Sequence, residues 1–127
     1  MNFIVLEETY SIYRFKSESD LPDWIYSSDF YSITKTKDEV SLVAVQNDSV
    51  SDSIICNRDW RILKIQGPLD FSMTGIIAEI TSILSDKKIS VFTVSTYDTD
   101  YIMVKQRDLD IAIEALLSNG HIISKDK

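Results

Sequence analysis

Residues 60–127 read as an α+β fold of the split βαβ, ferredoxin-like kind, and three observations carry that reading. Met73, Ile76, Ile77, Ile80, Ile83 and Leu84 recur at helical spacing, as do Leu109, Ala112, Ile113, Leu116 and Leu117 further on. Short β-branched runs stand before, between and after these two stripes. The resulting order, β-α-β-β-α-β, lays two helices on one face of a four-stranded antiparallel sheet.

The individual elements follow in chain order. Leu63 and Ile65 alternate with Ile62 and Lys64 in a strand that Gly67-Pro68 ends, because proline lacks a donor and glycine permits a sharp turn. Asp70 or Ser72 can cap the helix that follows. Ile89 to Ser95 is a β-branched strand, Tyr97 to Asp100 a turn, and Tyr101 to Lys105 the returning strand. Asp108 caps the last helix, Gly120 stops it, and Ile122-Ile123 forms a short closing strand.

The first half is less regular. Phe3 to Leu6 is a short strand, and Tyr10 to Lys16 alternates with period two. Pro22 fits the first turn of a short helix over residues 20–28, with Leu21, Trp24 and Ile25 on one face. Residues 30–35 and Val40 to Val45 are strands, joined by Thr36-Lys37-Asp38-Glu39, which can form a helical turn or close a hairpin. Residues 46–53 are polar and aperiodic, a surface loop.

Composition excludes several functions. A chain of 127 residues, 44% hydrophobic, can bury a core, and its net charge of −7 lacks the basic stripe a nucleic-acid binder needs. Most of the acid lies early: residues 1–60 carry 5 Lys or Arg against 11 Asp or Glu, a net of −6. No run is long and apolar enough for a membrane span, and Phe3 to Leu6 is too short for a signal peptide. Cys56 is the only cysteine and His121 the only histidine, so no metal-ligand spacing and no nucleophile, base and acid set can be assembled. These features predict a cytoplasmic, soluble protein that is not an enzyme and takes no cofactor or metal.

With the topology set, further residues carry a resemblance. Gly75 to Leu84, followed by Ile89-Ser90-Val91, resembles the helix-and-strand signature of ACT domains, which are small amino-acid-binding regulatory modules. Gln66 to Phe71, Thr74-Gly75-Ile76 and Ser95 to Ile102 resemble, more narrowly, a family of small stand-alone bacterial proteins made of paired ACT-like units. The tandem-ACT arginine sensors of animal cytosol are similar to that family. The first half fits it through Pro22-Asp23-Trp24, Phe30 to Thr36 and Glu39 to Val43. One departure is visible at Lys88, where ACT domains often place glycine.

The resemblance implies two ferredoxin-like units, a degenerate ACT-like unit over residues 1–58 and an ACT domain over residues 59–127. It also implies a homodimer and an amino-acid ligand.

In such a topology the loop after the first strand and the hairpin after the second emerge at one end of the sheet. The expected ligand-binding residues are therefore Gly67, Pro68, Ser72, Met73, Thr74 and Gly75 on the loop, with Ser95, Thr96, Tyr97, Asp98 and Asp100 on the hairpin. The helix start suits a carboxylate, and the two aspartates suit an ammonium or a basic side chain. Another unit, within the chain or across a subunit interface, would complete the pocket. The same residues also have ordinary roles, since Asp70, Ser72 and Thr74 are common helix starters and aspartates are common in hairpin turns. A ligand-independent dimerisation or partner-binding module is thus the alternative.

Overall fold

The computed structural model describes residues 1–67 and 74–126. The strands in chain order are β1 (Asn2–Val5), β2 (Tyr10–Phe15), β3 (Ser32–Lys35), β4 (Val40–Val45), β5 (Ile55–Ile65), β6 (Val91–Ser95), β7 (Asp100–Lys105) and β8 (Ile122–Lys125). The α-helices are α1 (Ile76–Asp86) and α2 (Leu109–Ser118). Contacts divide the chain into two units, one of Glu8–Asp59 and one of Trp60–Lys127 together with Met1–Glu7.

The second of these is the ferredoxin-like unit, with one addition. Its strands run in the order β8, β1, β5, β7, β6. β5 pairs antiparallel with β7, and β7 with β6, as the β-α-β-β-α-β pattern requires. Between β5 and β8, however, lies β1, antiparallel to β5 through Phe3↔Ile65 and parallel to β8 through Phe3↔Ile123. The sheet of this unit is therefore five strands wide among the described residues, not four, and one of its pairings is parallel. A boundary at residue 58 groups β1 with the first unit; the pairing groups it with the later one. The pattern of β1 already contains the reason. Phe3 and Val5 are both buried, and they lie on the same face as Leu63 and Ile65 of β5 and Ile102 and Val104 of β7. Against that face pack Ile80 and Leu84 of α1 with Leu109, Ala112 and Leu116 of α2, giving one core under both helices.

The helix starts differ from expectation. α1 begins at Ile76, after Gly75, whose φ of +78° is left-handed and cannot continue a helix backwards through residue 74. Gly75 therefore holds the capping position, with no side-chain bond, in place of the Asp70 or Ser72 cap. Residues 68–73 lie outside the described residues. Asp108 does precede α2, but its carboxylate makes no capping bond; a 3-10 turn over Gln106–Asp108 leads into the helix instead. Lys88, which stands where a glycine is frequent, has φ +60°. The backbone there keeps the glycine conformation although the residue is not glycine.

In the unit of Glu8–Asp59, β2, β3 and β4 pair antiparallel in the order β3, β4, β2, so β2 lies beside β4 rather than beside its sequence neighbour β3. β2 pairs with β4 through Tyr13↔Leu42, and β3 with β4 through Ile33↔Leu42. Thr36 donates to the Glu39 carbonyl at 2.9 Å, so the Thr36 to Glu39 connection closes a hairpin. In place of one short α-helix over residues 20–28 there are two 3-10 turns, Glu18–Asp20 and Asp23–Ser27. The facing residues are nevertheless the expected ones: Ile25 is fully buried, and Leu21 and Trp24 pack on the core of Tyr13, Phe15, Val40, Leu42 and Ala44.

Residues 46–53 form a loop that is pinned at its start. The buried Tyr13 hydroxyl accepts from the Asn47 N–H at 3.1 Å, and Gln46 bonds both the N–H and a carboxylate oxygen of Asp59. Among the described residues, no helix is long and apolar enough to cross a membrane.

Candidate functional site

β5 and β6 run in the same direction, because each pairs antiparallel with β7. The end of β5 and the β6–β7 hairpin thus share one end of the sheet, and connectivity brings the start of α1 to that end as well. A direct bond joins the first two. The Thr99 hydroxyl, buried under the hairpin, donates to the Ile65 carbonyl at 2.7 Å. On the other side of β5, the Gln66 N–H donates to the Asn2 carbonyl of β1 at 2.8 Å. Gly67, exposed, therefore leaves a strand end that is held from both flanks.

The hairpin itself is tight. Thr96 and Thr99 close it: the Thr96 N–H donates to the Thr99 carbonyl at 2.8 Å, and the Thr99 N–H donates to the Thr96 hydroxyl at 3.3 Å. Tyr97 and Asp98 form the two-residue tip, with Tyr97 82% exposed. Asp100 is not part of the turn but the first residue of β7, opposite Ser95, and its carboxylate accepts from the Ser95 hydroxyl. Asp100 is half-buried and Asp98 exposed. Among the described residues neither carboxylate is paired with a cation within 4.0 Å.

At the start of α1 the first intrahelical bond runs from the Glu79 N–H to the Gly75 carbonyl at 2.9 Å. The N–H groups of Ile76, Ile77 and Ala78 precede it and so lack acceptors within the helix, and Gly75 has no side chain to supply one. A Cβ built on Gly75 would meet nothing within 4 Å among the described residues. Thr74 and Gly75 stand exposed at this helix start. Pro68, Ser72 and Met73 lie outside the described residues.

Thr99 is the residue that sequence reasoning passed over. Its signal was the Thr-x-x-Thr spacing across the tip, overshadowed by the aspartates on either side. His121 is buried edge-on to Phe3, 5.6 Å between ring centres, and its Nε2 lies 3.9 Å from a carboxylate oxygen of Glu79. Among the described residues no group of three or more His, Cys, Asp or Glu could hold a metal ion.

Two helices on one face of a mostly antiparallel sheet is the ferredoxin-like class, within which ACT domains fall. The family model described as "ACT domain" matches residues 55–118, and the chain belongs to that family. A second model, of an N-terminal domain, matches residues 8–53.

Among solved structures, a protein from Agrobacterium tumefaciens is similar over nearly its whole length: 32% identity, 99% of this chain and 93% of that one, TM-score 0.88. Human CASTOR3P is 30% identical over 106 residues, 74% of this chain. The bovine cytosolic arginine sensor for mTORC1 subunit 1 is 26% identical over 97 residues, 68% of this chain. The chain spans 65% of the length of the first of these curated relatives and 30% of the second.

Proposed function

We propose that the protein is an amino-acid-binding regulatory module without catalytic activity, the ligand lying between the end of β5, the start of α1 and the β6–β7 hairpin. The observation that supports this reading is the Thr99 to Ile65 bond, which ties the carboxylate-bearing hairpin to the end of β5. The N–H groups of Ile76 to Ala78 receive the ligand carboxylate. Asp100, oriented by the Ser95 hydroxyl, receives the ammonium, and Asp98 is free to meet a basic side chain. Gly67, Thr74, Thr96 and Tyr97 line the approach; Pro68, Ser72 and Met73 belong to the proposed site by their sequence position, outside the described residues.

A relative named as an arginine sensor supports arginine or lysine as the first candidates. A homodimer in the cytoplasm, with a second copy closing the pocket, completes the proposal, as does the reading of the earlier residues as a degenerate ACT-like unit.

The test is a thermal-shift panel of the twenty amino acids on the full chain. A true ligand at a hundred times its dissociation constant raises stability by about 2.7 kcal/mol. Asp100→Ala abolishes the shift while leaving the unliganded midpoint in place. A panel with no movement, together with a dimer indifferent to every amino acid in light scattering, replaces this reading with the ligand-independent module.

A further inference from the structure

The edge of the first unit presents a surface that the amino-acid site does not use. β3 pairs only with β4 among the described residues, so its outer edge is free. In an antiparallel ladder the bonded pairs alternate, and the Thr36 to Glu39 bond fixes the phase: Thr34 and Ser32 bond to β4, while Ile33 and Lys35 turn their N–H and C=O groups outwards.

The side chain of Ile33 shares a face with Leu42, the face that the core occupies. The two 3-10 turns are too short to reach across it. Ile33 is consequently 38% exposed and Tyr31 40%, and Tyr26 of the second turn, 63% exposed, packs edge-on to Tyr31 at 5.7 Å. An apolar step of two tyrosines and an isoleucine therefore runs beside a row of unmet backbone groups.

The charge around this step is net negative. Residues 17–35 carry Glu18, Asp20, Asp23 and Asp29, all exposed, against Lys35 alone, a net of −3. Lys35 is already engaged by Glu18 at 3.8 Å, which also ties the first turn to the end of β3. Two copies of this chain meeting edge to edge would bring the same carboxylates together.

The geometry points to β3 as a docking edge for an extended, cationic segment of another protein, added as a further antiparallel or parallel strand. Backbone groups of Ile33 and Lys35 supply the ladder, Tyr26, Tyr31 and Ile33 cover its apolar side chains, and the carboxylates select its basic ones. This inference is independent of the amino-acid site.

The experiment uses the full chain and a fluorescein-labelled peptide of alternating lysine and valine, with alternating glutamate and valine as its counterpart. Anisotropy is expected to show saturable binding of the lysine peptide, at least about tenfold tighter than the glutamate peptide and weakening as salt rises. Amide resonances should shift in β3 and in residues 17–31. Ile33→Pro removes an outward donor without touching the β4 ladder and is expected to weaken binding about tenfold. If that variant does not fold, Asp23→Lys combined with Asp29→Lys, both exposed, decides by the same loss of affinity at an unchanged thermal midpoint. Equal affinity for the two peptides, no binding of either, shifts confined to β6 or β8, unchanged affinity of the folded variants, or self-association through β3 each overturns the assignment.

Discussion

The two units of this chain solve the same problem with different means. Both present a sheet with one apolar face. The later unit covers that face with α1 and α2, of 11 and 10 residues. The earlier one covers it with 3-10 turns of three and five residues. Helices of that length present two or three turns of apolar side chains to several strands at once, whereas a five-residue turn buries one side chain, Ile25, and leaves the outer strand bare. The later unit thus spends its sequence on a closed core and keeps its polar groups at one end. The earlier unit keeps an exposed step along one edge.

Several measurements sharpen or break this contrast. The largest effect is expected from removing β1: residues 60–127 alone lack the strand that separates β5 from β8, and circular dichroism and proteolysis should find them unfolded. If they fold, the later unit does not depend on Phe3 and Val5. Next in size are core truncations. Leu84→Ala and Ile25→Ala, both at fully buried positions, each cost about 3 kcal/mol in denaturant unfolding, the former by opening a cavity under α1 and the latter by removing the anchor of the whole 3-10 cover. A much smaller cost at Ile25 would mean that the earlier unit closes by other contacts.

Thr99→Val keeps the shape and deletes the bond to the Ile65 carbonyl, a loss of about 1–2 kcal/mol because that acceptor is left buried and unpaired. The same substitution should weaken amino-acid binding, since the hairpin loses its tie to the loop. Lys88→Gly removes a left-handed non-glycine residue and is expected to gain about 0.5–1 kcal/mol, the relief of strain less the entropy of a new glycine. Smallest is Tyr26→Ser on the exposed step, within about 0.5 kcal/mol of wild type. A larger loss there would show that the step is part of the core.

How much of this was legible in the sequence depended on whether the determining contacts were local. The stripe from Ile76 to Leu84 and the alternation of Leu63 and Ile65 announce their elements because helix and strand periods are properties of a few consecutive residues. Val40–Val45 was likewise readable to the residue. The start of α1 was not, since Asp70, Ser72 and Thr74 all suit a cap and the left-handed turn at Gly75 outweighs them. Pro22, Trp24 and Ile25 gave the buried face of the turn over Asp23–Ser27 but not its type, as 3-10 and α spacing differ little over five residues.

The insertion of β1 was the least legible feature. Nothing near Phe3 indicates whether it will pair with β2, a few residues away, or with Ile65 and Ile123. The hairpin aspartates drew attention by charge, whereas Thr99, which fixes their place, is an uncharged residue whose partner lies 34 positions earlier.

The central place of β1 also orders events in time. Phe3 is made well before either of its neighbours, Ile65 and Ile123. The pairings of β2, β3 and β4 with one another fall within residues 10–45, so that sheet can form while β1 still waits. Closing two long loops at once is slow, so β1 stays a free apolar strand until β8 has been made. Refolding from denaturant should accordingly show a fast phase from the β2, β3 and β4 sheet and a slower one, reported by Trp60 fluorescence, when β1 slots between its two distant neighbours.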